Sequence, residues 1–161
     1  MDVRSADPSE VNRLARIWYD GWQDAHANIL PEELRRVRTL EAFEQRLHEN
    51  LANTRVVGPI GAPRGLCIMK GDEFNQLYVA AEARGTGVAQ ALIADAEQRL
   101  AATGAPLIWL ACAIGNHRAA RFYEKKRLAQ YRRAHRPPRH ARRFAARAGN
   151  LAFREGALLG R

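Results

Sequence analysis

Between residues 11 and 25 the apolar side chains Val11, Leu14, Ile17, Trp18, Trp22 and Ala25 recur at three- and four-residue spacing, which gives a helix one buried face. Its start is written just upstream. Asp7-Pro8-Ser9-Glu10 supplies a capping residue and a first-turn proline, and the helix is predicted to end near residue 27. Val3 and Arg4 open a short strand before it. Tyr19, Trp22 and His26 align on a neighbouring stripe, where rings fill core more often than they touch substrate. Ile29-Leu30-Pro31 breaks the pattern. Pro31-Glu32-Glu33 then begins a second, shorter helical piece that resumes after Thr39 with Leu40, Phe43, Leu47 and Leu51 as its apolar face.

The pattern changes to β-rich runs at residues 54–60 and 65–70, separated by Gly61-Ala62-Pro63-Arg64, and Gly71-Asp72 turns the chain into a strand at 74–79. A helix is predicted over 85–103, with Arg84, Gly85, Thr86, Gly87, Val88 and Ala89 at its first turn, Val88, Leu92, Ala96 and Leu100 inward, and Gly104 and Pro106 at its end. Residues 107–114 form a continuous apolar run, as expected for a strand covered on both faces. Strand, crossover helix and strand make a right-handed βαβ unit the default. Asn116 is placed to cap a further helix, with Ala119, Phe122 and Tyr123 on its inward side. The glycine-lined start of the helix after residue 84 carries a charge signal as well. Unpaired N–H groups, the positive end of the helix dipole and Arg84 together suit a phosphate-bearing ligand.

A length of 161 residues suits one domain with a single core. No apolar run reaches membrane-spanning length and the first ten residues are polar, so a cytoplasmic protein without a membrane partner is expected. Cys67 and Cys112 both fall in apolar, strand-like segments, which predicts buried free thiols and no metal site. The net charge of +9 would suggest a nucleic-acid partner, but residues 131–161 hold nine arginines against one acid, Glu155, and the rest of the chain is left at +1. The basicity belongs to one segment, and nucleic acid is not the expected partner of the body.

Taken alone, the Gly-Thr-Gly turn is a weak signal. Gln90 stands where a dinucleotide fingerprint needs its third glycine, and no P-loop lysine follows. Two patterns sharpen it. Residues 84–89 fit [QR]xxGx[GA] directly after the strand ending Leu77-Tyr78-Val79, and residues 116–125 fit NxxAxxFYEK one helix and one strand later. In that order and at that separation they resemble the GCN5-related N-acetyltransferase (GNAT) superfamily, over residues 1 to about 130.

The resemblance implies an α/β fold with a mixed, mostly antiparallel central sheet and flanking helices. It also implies acetyl-CoA as co-substrate. Leu77 and Val79 would offer backbone groups to the pantetheine arm, Arg84, Gly85, Thr86, Gly87, Val88 and Ala89 would hold the diphosphate, and Asn116 would contact the arm, with plain helix capping as an equal alternative. Tyr123 would be catalytic. A phenol near pKa 10 can donate to a departing thiolate whose acid form lies near about 8.5. Asp72, Glu73, His26 and His117 are all candidates for the general base, each more readily read as a surface residue, and Arg118, Arg121 and Lys125 are candidates for the CoA 3′-phosphate. The implied partner is a small-molecule or peptide amine, and a homodimer is compatible with the sequence.

The family pattern then fails. Arg127 stands where the helix-ending glycine belongs, and residues 131–161 lack period-two alternation, include Pro137-Pro138 and are dominated by Arg and Ala, so they are not expected to supply the two closing strands. A disordered basic tail is one reading. Another is translation out of frame: a one-base insertion in the A-rich codons of Lys125 and Lys126 would explain the composition, since the degenerate code then permits Lys-Ser-Gly-Trp and restores the glycine. Three functions follow: acetyl transfer from acetyl-CoA to a primary amine, CoA binding with impaired or no turnover, or nucleic-acid binding through the tail.

Overall fold

The computed structural model describes residues 1–26, 28–104, 107–113, 115–125, 141–147 and 150–153. The chain forms two compact units, Met1–Met69 with Gln76–Asp95, and Lys70–Asn75 with Ala96–Arg161.

In the first unit, β1 (Val3–Ser5) pairs antiparallel with β2 (Thr54–Val57), and β2 pairs antiparallel with β3 (Gly65–Lys70). The two-residue turn Gly71-Asp72 leads from β3 into β4 (Glu73–Val79), a link short enough to require an antiparallel neighbour. The second strand ends three residues earlier than its apolar run suggests, because Gly58 takes φ +112° and the chain leaves the sheet there.

A single 3₁₀ turn, Pro8–Glu10, opens α1 (Val11–His26). The expected start is present: the Asp7 side chain accepts from Ser9 N–H, and Glu10 reaches back to Asp7 N–H at 3.1 Å. The helix buries Val11, Leu14, Ala15, Trp18 and Trp22. After α2 (Glu32–Val37), Thr39 caps α3 (Leu40–Asn50), whose Phe43 and Leu47 are fully buried against the α1 face, with Val56, Leu66 and Ile68 of the sheet beneath. This is the core of the first unit. Trp18 and Phe43 meet with ring centres 5.0 Å apart. His26, read both as a core-filling ring of the α1 stripe and, as a base candidate, as a surface residue, is 3% exposed: it extends the stripe by one turn, with its ring centre 5.3 Å from that of Trp22.

Gly65 explains how close the elements come. A Cβ there would lie 2.6 Å from Val88 Cγ1 and 3.0 Å from Tyr78 O, so only glycine lets β3 pass the end of β4 and the start of α4 (Val88–Ala102). That helix buries Val88, Leu92, Ala96 and Leu100 as expected, together with Ile93.

In the second unit β4 pairs in parallel with β5 (Leu107–Ala113), Glu73 opposite Trp109 and Phe74 opposite Leu110, as a strand, helix, strand crossover requires. The helix α5 (His117–Lys125) follows. The tail corrects one expectation. β6 (Ala141–Arg147) pairs antiparallel with β5 along its whole length, from Ala113↔Ala141 to Leu107↔Arg147, and β7 (Asn150–Phe153) pairs antiparallel with β6. Main-chain ladders need N–H and C=O groups rather than a side-chain pattern, and both tail prolines precede β6 in the sequence. Arg127, Pro137, Pro138, Gly149 and Glu155 lie outside the described residues. The architecture is an α/β fold with a mixed, mostly antiparallel sheet and flanking helices. No helix among the described residues is long and apolar enough to cross a membrane. Cys67 and Cys112 are buried, and neither is in a disulfide among the described residues.

Candidate active site

Two stretches carry the motif residues, one in each unit. In the first unit, β4 runs through Leu77 and Val79, both half-buried. Beyond it come a 3₁₀ turn (Ala81–Ala83) and then Arg84, Gly85, Thr86 and Gly87 as a turn of their own. The expected helix over 85–103 is therefore shorter at its start, beginning at Val88. Gly85 and Gly87 take φ +78° and +93°, in the left-handed region that a helix interior excludes. A Cβ at either position would meet no protein atom within 4 Å, so backbone conformation, not packing, asks for glycine there.

This turn presents α4 end-on. The first helical bond runs from Ala91 N–H to Gly87 O at 3.0 Å, so the amides of Val88, Ala89 and Gln90 have no acceptor within the helix. Val88 itself is buried, which anchors the helix start, while Ala89 is half-buried. Thr86 ties the turn together, its Oγ1 donating to Ala83 O at 2.7 Å.

Two arginines flank the turn, and only one was singled out from the sequence. Arg84 is not simply solvated. It pairs with Asp24 of α1 at 2.6 Å, and both side chains keep a third or more of their exposure. Arg64 is the residue that sequence reasoning missed: its guanidinium donates to Thr86 Oγ1 at 3.2 Å. Its own backbone is fixed by Arg64 N–H to Val57 O and by Ala80 N–H to Arg64 O, at 2.7 and 2.9 Å. No local signal marked it, because it reaches the turn from 22 residues away. The turn thus carries helix-start amides beside two guanidinium groups, Arg64 donating to Thr86 and Arg84 already paired with Asp24.

In the second unit, Asn116 caps α5. Its Oδ1 accepts from Ala119 N–H at 3.1 Å, so the capping role is present, and the Nδ2 group retains two donors of its own chemistry. Tyr123 lies seven residues on, two helical turns away on the same face, or about 10 Å along the axis. It is 7% exposed, with its ring edge-on to Phe122 at 5.4 Å. The base candidates differ in setting: His117 and Asp72 are exposed, Glu73 is half-buried and accepts from Asn75 Nδ2 at 2.9 Å, and His26 is buried with Nδ1 3.1 Å from Trp22 O. Ala105, Pro106 and Ile114 lie outside the described residues.

Against curated protein sequences the chain finds no match. Among solved structures it is similar in fold to a GCN5-related N-acetyltransferase from Rhodopseudomonas palustris, with 21% identity and TM-score 0.66 over 97% of this chain and 95% of that one. The PaiA N-acetyltransferase from Thermoplasma acidophilum, solved in complex with coenzyme A, aligns at 17% identity and TM-score 0.64 over 89% and 95%. The apo form of YjaB from Escherichia coli aligns at 24% identity and TM-score 0.58 over 77% and 79%. The acetyltransferase (GNAT) family model matches residues 16–127, which take in every motif residue from Leu77 to Tyr123. The chain belongs to the GNAT acetyltransferase family.

Proposed function

We propose that the chain transfers the acetyl group of acetyl-CoA to a primary amine by direct attack in a ternary complex. The observation that carries this is the start of α4, where Gly85 and Gly87 at positive φ expose a row of helix amides beside Arg64 and Arg84. That surface suits a diphosphate, and the PaiA N-acetyltransferase of similar fold was solved with coenzyme A. Acetyl-CoA supplies an acetyl thioester: the amine nitrogen bonds to the carbonyl carbon, the carbon–sulfur bond breaks, and the ammonium proton must leave before attack.

The chain's own residues take the remaining tasks. Gly85, Thr86, Gly87, Val88 and Ala89 hold the diphosphate through their amides, with Arg64 and Arg84 adding charge. Leu77 and Val79 of β4 offer main-chain groups to the pantetheine arm. Asn116 Nδ2 donates to the arm while its Oδ1 keeps the cap. Tyr123 donates its phenolic proton to the departing thiolate.

Titrating acetyl-CoA into the full chain and following amine-dependent release of CoA thiol across amine classes tests the reading. Saturable binding with amine-dependent release is expected, and binding with no release from any amine would leave a CoA-binding protein without turnover. Arg64→Ala is expected to weaken acetyl-CoA binding about three- to tenfold at low salt, and less at high salt, as a partly screened phosphate contact should. An affinity equal to that of the unaltered chain at low salt would remove Arg64 from the site.

A further inference from the structure

Arg84 stands at the entrance to the glycine turn, but the anion it meets belongs to α1. Its backbone closes the 3₁₀ turn, N–H to Ala81 O at 3.3 Å, and Gly85 follows at φ +78°. From that fixed point the side chain reaches Asp24, with Nη1 donating to Oδ2 at 2.6 Å across 60 residues of sequence. Both residues belong to the first unit.

Nothing local asks for a carboxylate at Asp24. It lies in the last turn of α1, where the helix dipole is negative and an acid is disfavoured. The helical neighbours that could offset it carry no positive charge: Asp20 and Gly21 precede it, Ala27 and Asn28 follow. Its backbone is nevertheless held firmly, because Trp22 and His26 on either side are 2% and 3% exposed. α1 thus presents a carboxylate, against its own preference, to the arginine of the turn.

The two arginines beside the turn therefore differ in what they offer. Arg64 donates to a neutral hydroxyl, Thr86 Oγ1, whereas Arg84 is paired with a carboxylate. A diphosphate seated on the amides of the turn would bring a second anion to Arg84. Exposure decides how the two anions settle. Arg84 and Asp24 keep 35% and 47% of their side-chain exposure, so theirs is a pair that water and salt weaken, and a doubly charged ligand held also by helix amides can break it. A buried pair would instead resist the ligand.

We propose that Asp24 sets the affinity of the cofactor site by competing with the diphosphate of acetyl-CoA for Arg84, so that binding breaks the pair and release of CoA restores it. This rests on the acetyltransferase reading, and specifically on its assignment of residues 84–89 to the diphosphate. Acetyl-CoA and CoA carry the same diphosphate, so tighter binding there slows departure of the product as much as it favours capture of the substrate. Asp24 weakens both. It acts through Arg84 and is a positioning residue, not a catalytic one.

The test is equilibrium binding of CoA to the full chain, with 3′-dephospho-CoA, which keeps the diphosphate, as the second probe. Asp24→Asn is expected to tighten both ligands about two- to fivefold at low salt, as loss of an exposed competing pair should. The gain should come chiefly from slower dissociation and shrink at about 0.5 M salt. Asp24→Glu, which keeps the charge, should bind as the unaltered chain does. In an Arg84→Met background the asparagine should change affinity less than about 1.5-fold, because no pair is left to break. Damage to the fold does not raise affinity, and Asp24→Ser gives the same reading if the asparagine variant is unstable. Unchanged or weaker CoA binding in Asp24→Asn would overturn the proposal, weaker binding showing that Asp24 orients Arg84 for the ligand. A gain absent with 3′-dephospho-CoA would overturn it by moving Arg84 to the 3′-phosphate, and a gain that survives in Arg84→Met would do so by showing direct repulsion between Asp24 and the ligand. If neither probe binds the unaltered chain, the cofactor assignment itself fails and the proposal with it; if both bind and the asparagine brings no gain, the proposal fails alone.

Discussion

Tyr123→Phe is expected to lower kcat for acetyl transfer about 10²- to 10⁴-fold, while the dissociation constant for acetyl-CoA stays within about threefold. The substitution removes one oxygen from a side chain that is 7% exposed and packed edge-on against Phe122. The ring and its packing are retained, so the loss should fall on chemistry. A phenol near pKa 10 is protonated at neutral pH and can hydrogen-bond to a thiolate as charge builds on sulfur, which is where a general acid contributes most. Measuring kcat, acetyl-CoA affinity and the urea midpoint on the same preparation separates the cases. A large drop in kcat with the other two nearly unchanged fits proton donation. Loss of affinity and stability together would mean that the hydroxyl serves packing, and unchanged turnover would remove Tyr123 from the chemistry.

The helices and the family motifs were legible because each depends on neighbours in the chain. Val11, Leu14, Trp18 and Trp22 mark one helix face by spacing alone, and Asp7 with Glu10 marks its start. The glycine turn was legible as a phosphate-type site but not in its conformation. A run from Arg84 to Ala89 looks like a first helical turn until φ is known, and positive φ at two glycines places the helix start at Val88. What stayed hidden was set by distant partners. Arg64 meets Thr86 across 22 residues and Arg84 meets Asp24 across 60, distances over which no periodicity speaks. The closing strands were hidden for another reason. Ala141-Arg142-Arg143-Phe144-Ala145-Ala146-Arg147 carries no apolar alternation, yet its main chain matches all of β5. Sequence reading weighs side chains, and this pairing is made by backbone.

The same distinction governs stability, where the largest effect is expected at a residue the sequence marked only as part of a cap. Glu10 is 1% exposed and holds Arg4 through two bonds, 2.7 Å from Nη1 and 2.8 Å from Nη2. It also accepts from Gly61 N–H at 3.0 Å and Asp7 N–H at 3.1 Å, while Arg4 Nε donates to Gly58 O at 2.8 Å. One carboxylate thus joins β1, the start of α1 and the loop between β2 and β3. Glu10→Gln is expected to destabilise the fold by about 3 kcal/mol at pH 7, toward the low end for half of a buried pair because the Arg4 side chain keeps a quarter of its exposure. The hydrogen bond from Arg4 is the main cause holding the Glu10 carboxyl below its usual range, against the opposing pull of burial. A carboxyl whose folded pKa is depressed contributes its stability above the unfolded value, near about 4.3, and loses it as pH falls through the folded one. The gap in urea midpoint between the two proteins should therefore be full at pH 7 and shrink steadily below pH 4. Equal midpoints at pH 7 would show that the pair adds nothing net, and a gap that persists undiminished to pH 2 would show that the glutamine is destabilising through packing and not through the lost charge.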